Sequence, residues 1–330
     1  MTAVFRDRCL LALAGGERTG EVTGRFRFLA ASAAAFPAVG DWALVRDAGP
    51  ERALVHALFP RRNVVSRKEA GLVWEEQVLA ANVDVAFVMT AFDADFNVRR
   101  LERYAVLARQ SGLEPVVLLN KCDLAAADDG RLAEAIDANP GGGVHRVSAR
   151  AGLGLDIVGF YLAEGRTGIF LGSSGVGKST LLNALLGGEI QRTRTVRLSD
   201  GRGRHTTTSR QMFALPGGGL VIDTPGLREI EPWADAAAVD DAFSEISALA
   251  RRCRFADCTH GPETGCAVKE AVEKGTLPAA RYESYLKLRK EMAYLRRKVD
   301  PAEDAENKRR WKNIHRAAKA LYKERNKSQG

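Results

Sequence analysis

The 330-residue sequence has no apolar run near the ~20 residues that a membrane-spanning helix needs. The N-terminal CLLALA, after Arg6 and Arg8, falls short of the ~7 to 15 apolar residues of a secretory core and has no clear cleavage site after it. Five cysteines (Cys9, Cys122, Cys253, Cys258, Cys266) are too few and too unevenly placed for a disulfide framework. No internal repeat is present, and aromatic residues are only 7%. These absences argue against a membrane protein and a disulfide-stapled secreted domain, so a cytoplasmic location is expected. What is present, 45% hydrophobic and 27% charged residues, is the composition of a globular chain. Its length exceeds the ~250 to 300 residues at which one core stops growing, so two or three domains are expected.

Charge and cysteine are both unevenly spread. Residues 281–330 carry 16 Lys and Arg against 7 Asp and Glu, while the remainder of the chain is close to neutral, so the net charge of +8 belongs to the tail. A local positive field of this kind suits nucleic acid more than a membrane surface. Three of the five cysteines fall between positions 253 and 266, which hints at metal.

Residues 1–75 alternate short β-like runs (EVTGRFRFLA, DWALVRD, ALVHALF) with glycine and proline, the pattern of a small barrel or sandwich. Its strands show few aromatics, so no stacking residues can be named there. Residues 76–232 alternate buried strands (VDVAFVMTAF, PVVLLNKCD, TGIFLG) with helical stretches (RRLERYAVLARQSG, KSTLLNALLG), which predicts an α/β domain with a mostly parallel sheet. Residues 233–330 read as helical with a cysteine-rich interruption. Tyr285, Leu288, Met292 and Leu295 recur at helical spacing, as do Trp311, Ile314, Ala318 and Leu321.

The strand TGIFLG runs into GSSGVGKST, which fits G-x-x-x-x-G-K-[ST]. Gly172, Ser173, Ser174, Gly175, Val176 and Gly177 would wrap phosphates with backbone amides. Lys178 would reach the outer phosphates, and Ser179, followed by Thr180, would bring a hydroxyl to Mg²⁺. In VIDTPG, Asp223 can hold the same Mg²⁺ and Gly226 can read a γ-phosphate through its amide. The base is addressed by NKCD. The Asp123 carboxylate can accept two hydrogen bonds from guanine that adenine does not offer, while Asn120 and Lys121 fix the loop and flank the purine. Ser148 and Ala149, in SAR, form a second guanine-contacting turn. The expected ligands are therefore GTP or GDP with Mg²⁺. Between these motifs GRGRHTTTSR offers a switch, with Thr207, or Thr206 beside it, sensing Mg²⁺ and the γ-phosphate. Where Ras-like enzymes carry a water-orienting glutamine after DxxG, this chain has Leu227, and His205 is the candidate replacement. Cys253, Cys258, His260 and Cys266 offer three thiolates and an imidazole, a closed set suited to one structural Zn²⁺.

In an ordinary small GTPase the phosphate loop comes first. Here NKCD and SAR precede GSSGVGKST and DTPG, so the set is complete but rotated, as circular permutation allows. The rotated order, the barrel-like N-terminal region and CRFADCTHGPETGC together resemble the RsgA (YjeQ) family of circularly permuted GTPases that depend on the small ribosomal subunit. That resemblance covers most of the chain. It implies an OB-fold in residues 1–75, a permuted P-loop GTPase core in 76–232 and a zinc-binding helical domain in 233–330. It supports His205 as catalytic. It also implies action in late maturation of the small (30S) ribosomal subunit, with its rRNA as the partner; a monomer is expected. An RNA-binding assembly protein that uses GTP as a ligand with negligible turnover is the alternative. A small-molecule kinase is disfavoured, because NKCD selects guanine and no acceptor site is evident.

Overall fold

The computed structural model describes residues 1–5, 7–68, 76–124, 130–163, 165–188, 210–224, 236–261 and 263–299. Its centre is a parallel sheet built from β8 (Val85–Ala91), β9 (Glu114–Asn120), β10 (Val144–Arg146), β11 (Thr167–Gly172) and β13 (Leu220–Asp223). The spatial order is β10-β9-β8-β11-β13, every neighbouring pair parallel, with β12 (Arg210–Ala214) added antiparallel to β13. All seven residues of β8 are buried, as a strand covered on both faces requires.

Alternation along β8 divides the core between the two faces. Ala86 and Val88 pack with Leu101, Tyr104 and Leu107 of α2 (Val98–Gln110), and with Ala135 and Ala138 of α3 (Arg131–Ala138). Val85, Phe87 and Met89 pack on the other face with Val158 of α4 (Leu155–Tyr161) and with Leu181 and Leu182 of α5 (Lys178–Leu186). Two consecutive crossovers lead from β8 outward to β9 and β10, and the chain then returns to the opposite side of β8 as β11. The strand order thus reverses between β8 and β11, and a switch point of this kind, at the carboxyl ends of the strands, is where such sheets bind ligands.

The N-terminal strands β1 (Ala3–Val4), β2 (Cys9–Leu13), β3 (Gly16–Val22), β4 (Ala43–Asp47) and β5 (Arg52–Leu58) continue the same sheet in the order β1-β2-β3-β5-β4, with β3 and β5 parallel. The link is an antiparallel pair of β1 with β12, in which Ala3 faces Gln211 and Met212 N donates to Thr2 O at 2.7 Å. A small core of Cys9, Leu11, Ala53 and Val55 supports these strands, and burial pushes the Cys9 thiol up to about 11. A hairpin of β6 (Val64–Lys68) and β7 (Glu76–Ala81) leads into the parallel sheet. The run EVTGRFRFLA, expected as a strand, is split. β3 ends at Val22, and Thr23 caps a short helix α1 (Gly24–Leu29) by accepting from Phe26 N at 3.2 Å, so local capping overrides β-like composition.

The C-terminal helices α6 (Ala236–Ala242), α7 (Ser244–Ala250), α8 (Ala267–Glu273) and α9 (Ala279–Val299) enclose a separate core. Tyr285, Leu288 and Met292 are buried as their spacing predicts, together with Phe243, Ile246 and Val268. This unit meets the sheet domain at α2. Arg281 donates to Glu102 Oε1 at 2.7 Å, Glu245 Oε1 at 2.8 Å and Ala242 O at 2.7 Å, and its guanidinium lies 3.9 Å from the Phe243 ring centre. Glu102 is only 1% exposed. Burial raises its pKa even with Arg281 beside it, which marks how dry the junction is.

Candidate nucleotide site and metal centre

Because β9, β10, β11 and β13 run in parallel, NKCD, SAR, the glycine loop and Asp223 all emerge at one end of the sheet. Asn120 ties three of them together. Its Nδ2 donates to Val176 O in the glycine loop at 2.8 Å, and its Oδ1 accepts from Ala149 N in the SAR turn at 3.0 Å. The side chain is 2% exposed, so these bonds do not compete with solvent. Next to it, Gly177 has φ +103°, and a Cβ there would stand 2.2 Å from Asn120 Nδ2, so only glycine fits. Ser148 Oγ donates to Asp123 Oδ1 at 2.5 Å and accepts from Ala151 N at 3.0 Å. Asp123 is exposed, and Ser148 fixes its carboxylate while leaving the second oxygen for a base.

Lys121 has φ +61°, a left-handed backbone that a non-glycine residue adopts at a cost, and such strain gathers at binding sites. Its ammonium is held by Asp93 Oδ2 at 2.6 Å and Gly175 O at 3.3 Å. Asp93 lies in the loop after β8. The hydrogen bond from Lys121 is the largest influence holding its carboxyl below the usual range.

The loop between β11 and α5 runs from Gly172 to Gly177, with Ser173 and Val176 buried and Ser174 and Gly175 exposed. Ser179 and Thr180, in the first turn of α5, are exposed. The amino end of α5 is a ready anion site. Lys178 is 6% exposed and folds its ammonium onto Gly172 O and Ser173 O, both at 2.8 Å. Burial drives its pKa down to about 8, with Asp223 and Asp95 opposing the shift. Asp223, 7% exposed at the end of β13, thus stands within electrostatic reach of the lysine. Thr224 beside it donates to Phe170 O at 2.6 Å, anchoring the turn to β11. His205, Thr206, Thr207, Gly226 and Leu227 lie outside the described residues, as do Trp311, Ile314, Ala318 and Leu321 of the basic tail.

The second cluster joins Cys253, Cys258, His260 and Cys266, whose ligand atoms all lie within 4.8 Å of one another. Cys253 Sγ and Cys266 Sγ are 3.9 Å apart, and His260 Nδ1 is 3.6 Å and 3.5 Å from them. A tetrahedral Zn²⁺ with bonds of ~2.3 Å to sulfur and ~2.05 Å to nitrogen implies separations of about 3.8 Å and 3.6 Å, so Cys253, His260 and Cys266 fit that ion, and Cys258 offers its sulfur within 4.8 Å of the other three donors. His260 is buried with φ +59°, and Tyr282 OH donates to its carbonyl at 2.5 Å.

Sequence reasoning missed Asp93, Asp95 and the junction residues Arg281 and Glu102. The first two carry no motif, and the last two are 179 positions apart.

A parallel sheet that brings a glycine-rich phosphate-type loop, NKCD, SAR and Asp223 to one end, in this rotated chain order, has the organisation of a circularly permuted P-loop GTPase. The family model for RsgA GTPase matches residues 58–233. The small ribosomal subunit biogenesis GTPase RsgA of Opitutus terrae is 47% identical over 325 residues, covering 96% of this chain and 89% of the relative. The protein of that name from Methanosarcina acetivorans is 48% identical over 267 residues, covering 80% and 72%. Among solved structures, YjeQ from Thermotoga maritima superposes with a TM-score of 0.64 at 27% identity, covering 88% of this chain and 97% of that one. YloQ, described as a circularly permuted GTPase, gives 0.61 at 23% identity over 88% and 93%, a likeness of fold. The chain belongs to the RsgA GTPase family, and it is a GTPase.

Proposed function

We propose that this protein hydrolyses GTP in the course of late maturation of the small ribosomal subunit, binding the subunit through its rRNA and being stimulated by it. The observation that carries the reading is the Asn120 side chain, which joins the guanine-type loop, the SAR turn and the phosphate loop into one pocket although they are far apart in the chain. The printed names of the relatives, small ribosomal subunit biogenesis GTPase, support the subunit as partner.

In this reading Asp123, oriented by Ser148, takes the guanine edge, with Asn120, Lys121 and Ala149 completing the base site. Gly172 to Gly177 offer amides to the phosphates, and Lys178 exchanges its two carbonyl partners for phosphate oxygens. Ser179, Asp223 and Thr207, or Thr206 in its place, hold Mg²⁺, which supplies charge neutralisation between the phosphates. Gly226 reads the γ-phosphate. His205 holds the attacking water, the task that Leu227 cannot perform.

Cys253, Cys258, His260 and Cys266 bind one structural Zn²⁺, and four protein ligands leave it no open position for catalysis. Residues 1–75 serve as an OB-fold RNA contact, 76–232 as the GTPase unit and 233–330 as the zinc-binding unit with its basic tail. The mixed strand order with β3 beside β5 in parallel supports the first of these. The protein works in the cytoplasm as a monomer.

The test is GTP hydrolysis by the purified chain with and without small ribosomal subunits, with large subunits as control and raised salt as a second axis. Stimulation of about 10⁵-fold, as partners give slow GTPases, would lower the barrier by about 7 kcal/mol. Salt-sensitive stimulation by small subunits alone supports the proposal. Tight GTP binding with no stimulation favours instead an assembly protein that uses GTP as a ligand.

A further inference from the structure

We propose that Asp93 and Asp95, in the loop between β8 and α2, are positioning residues that lock the base-reading loop and the phosphate loop into a single geometry. The inference rests on the guanine-nucleotide reading above and assigns a role to a segment that carries none of its motifs.

Asp93 takes the Lys121 ammonium at 2.6 Å, while Lys121 also reaches Gly175 O of the phosphate loop at 3.3 Å. Two residues on, Asp95 Oδ2 accepts from Ser173 Oγ, which is in the phosphate loop and 4% exposed. The two residues are braced against each other through the backbone of the turn, and Asp95 against α2. Asp95 N donates to Asp93 Oδ1 at 2.8 Å, and Phe96 N donates to Asp93 O at 3.2 Å. Arg100, in the first turn of α2, pairs with Asp95 Oδ1 at 2.8 Å and donates to the Asp95 carbonyl. Asn97 caps the helix by accepting from Arg100 N at 3.0 Å. One short turn thus grips NKCD through one carboxylate and the glycine loop through the other.

The chemistry explains why both are acidic. Lys121 needs an anion to hold its side chain in one rotamer over a left-handed backbone. Ser173 needs an acceptor that turns its hydroxyl away from the phosphate path, leaving the loop amides to face the ligand. Neither carboxylate has to touch nucleotide, so each acts through the residue it holds.

The experiment is a pair of double-mutant cycles read by titration of the full-length protein with GDP, alongside ADP and inosine diphosphate. Asp93→Asn keeps the acceptor for Asp95 N but loses the charge that holds Lys121. It is expected to weaken GDP about tenfold in the wild-type background and less than twofold when Lys121→Gln is already present, the coupling of side chains in contact. Asp95→Asn with Ser173→Ala should be non-additive in the same way. A merely structural role would give the same fold-loss in both backgrounds, and that result, or GDP affinity unchanged in Asp93→Asn, overturns the inference. If Asp93→Asn loses its native melting transition, Asp93→Glu enters the same cycle. A wild-type protein that binds ADP as tightly as GDP would refute the guanine site itself, and the inference with it. Wild-type preference for GDP with additive cycles removes the inference alone.

Discussion

Replacing Asn120 with alanine tests how far the site depends on one side chain. The substitution removes two buried hydrogen bonds and leaves Val176 O and Ala149 N without those partners in surroundings that are 0% and 7% exposed. A buried polar group stripped of its partner costs about 1 to 3 kcal/mol. Two such groups, partly relieved by water entering the space left behind, give about 3 kcal/mol. For a domain of this size each kcal/mol moves the melting point by about 2 to 4 °C, so a fall of about 6 to 12 °C is expected. The assay is thermal unfolding with and without GDP. A ligand at 100 times its Kd stabilises by about 2.7 kcal/mol, so the transition that GDP shifts is the one that reports on this domain. Asn120→Asp is a sharper variant, because it keeps the acceptor for Ala149 N but sets a carboxylate oxygen against Val176 O, and it should cost at least as much as alanine. A GDP-sensitive transition within 1 °C of wild type (roughly half a kcal/mol) in both variants, with GDP affinity intact, would refute the claim that this residue assembles the pocket.

Three further outcomes are expected. Lys178 has a folded-state pKa of about 8 against 10.5 when solvated, so its burial disfavours the folded state below about pH 8, and the penalty fades as pH rises toward 10.5. Phosphate should restore the charge, so GDP binding near pH 8 to 9 should take up a proton, detectable by calorimetry in buffers of different ionisation heat, and affinity should fall as pH rises. Arg281→Met should cost about 3 to 5 kcal/mol by leaving Glu102 charged and buried, and Glu102→Leu in the same chain should recover much of it, as measured by urea unfolding. Metal analysis should find one zinc per chain, and Cys266→Ser or a strong chelator should abolish the unfolding transition of the C-terminal helices, since apparent zinc binding in small domains reaches about 10 kcal/mol.

The parts of the site legible in the sequence are those whose chemistry demands fixed residues at fixed local spacing. The glycine loop, NKCD, SAR and Asp223 were readable because a strand end, a tight turn and a helix start each impose their own signature within a few positions. The same holds for the buried face of Tyr285, Leu288 and Met292. The misreading was equally local: EVTGRFRFLA has the composition of a strand, and one hydroxyl at Thr23 turned its second half into helix. What stayed hidden depends on contacts between distant positions. Asp93 and Asp95 look like ordinary loop acids until Lys121 and Ser173 are brought beside them. Nothing near Arg281 announces that its partner lies in α2.

The pairing of β1 with β12 has a consequence for how the protein stays dispersed. Without residues 2 to 4, the nucleotide-binding sheet would end at β12 with a bare row of amides and carbonyls, a template for another chain's strand. The N-terminal residues cover that row and are tied down in turn, with the Met1 ammonium donating to Asp41 O at 2.6 Å and Gly40 N to Met1 O at 3.0 Å. Trimming as few as four residues would therefore leave the Asn120 and Lys121 hydrogen bonds in place and still make the protein prone to aggregate through its sheet.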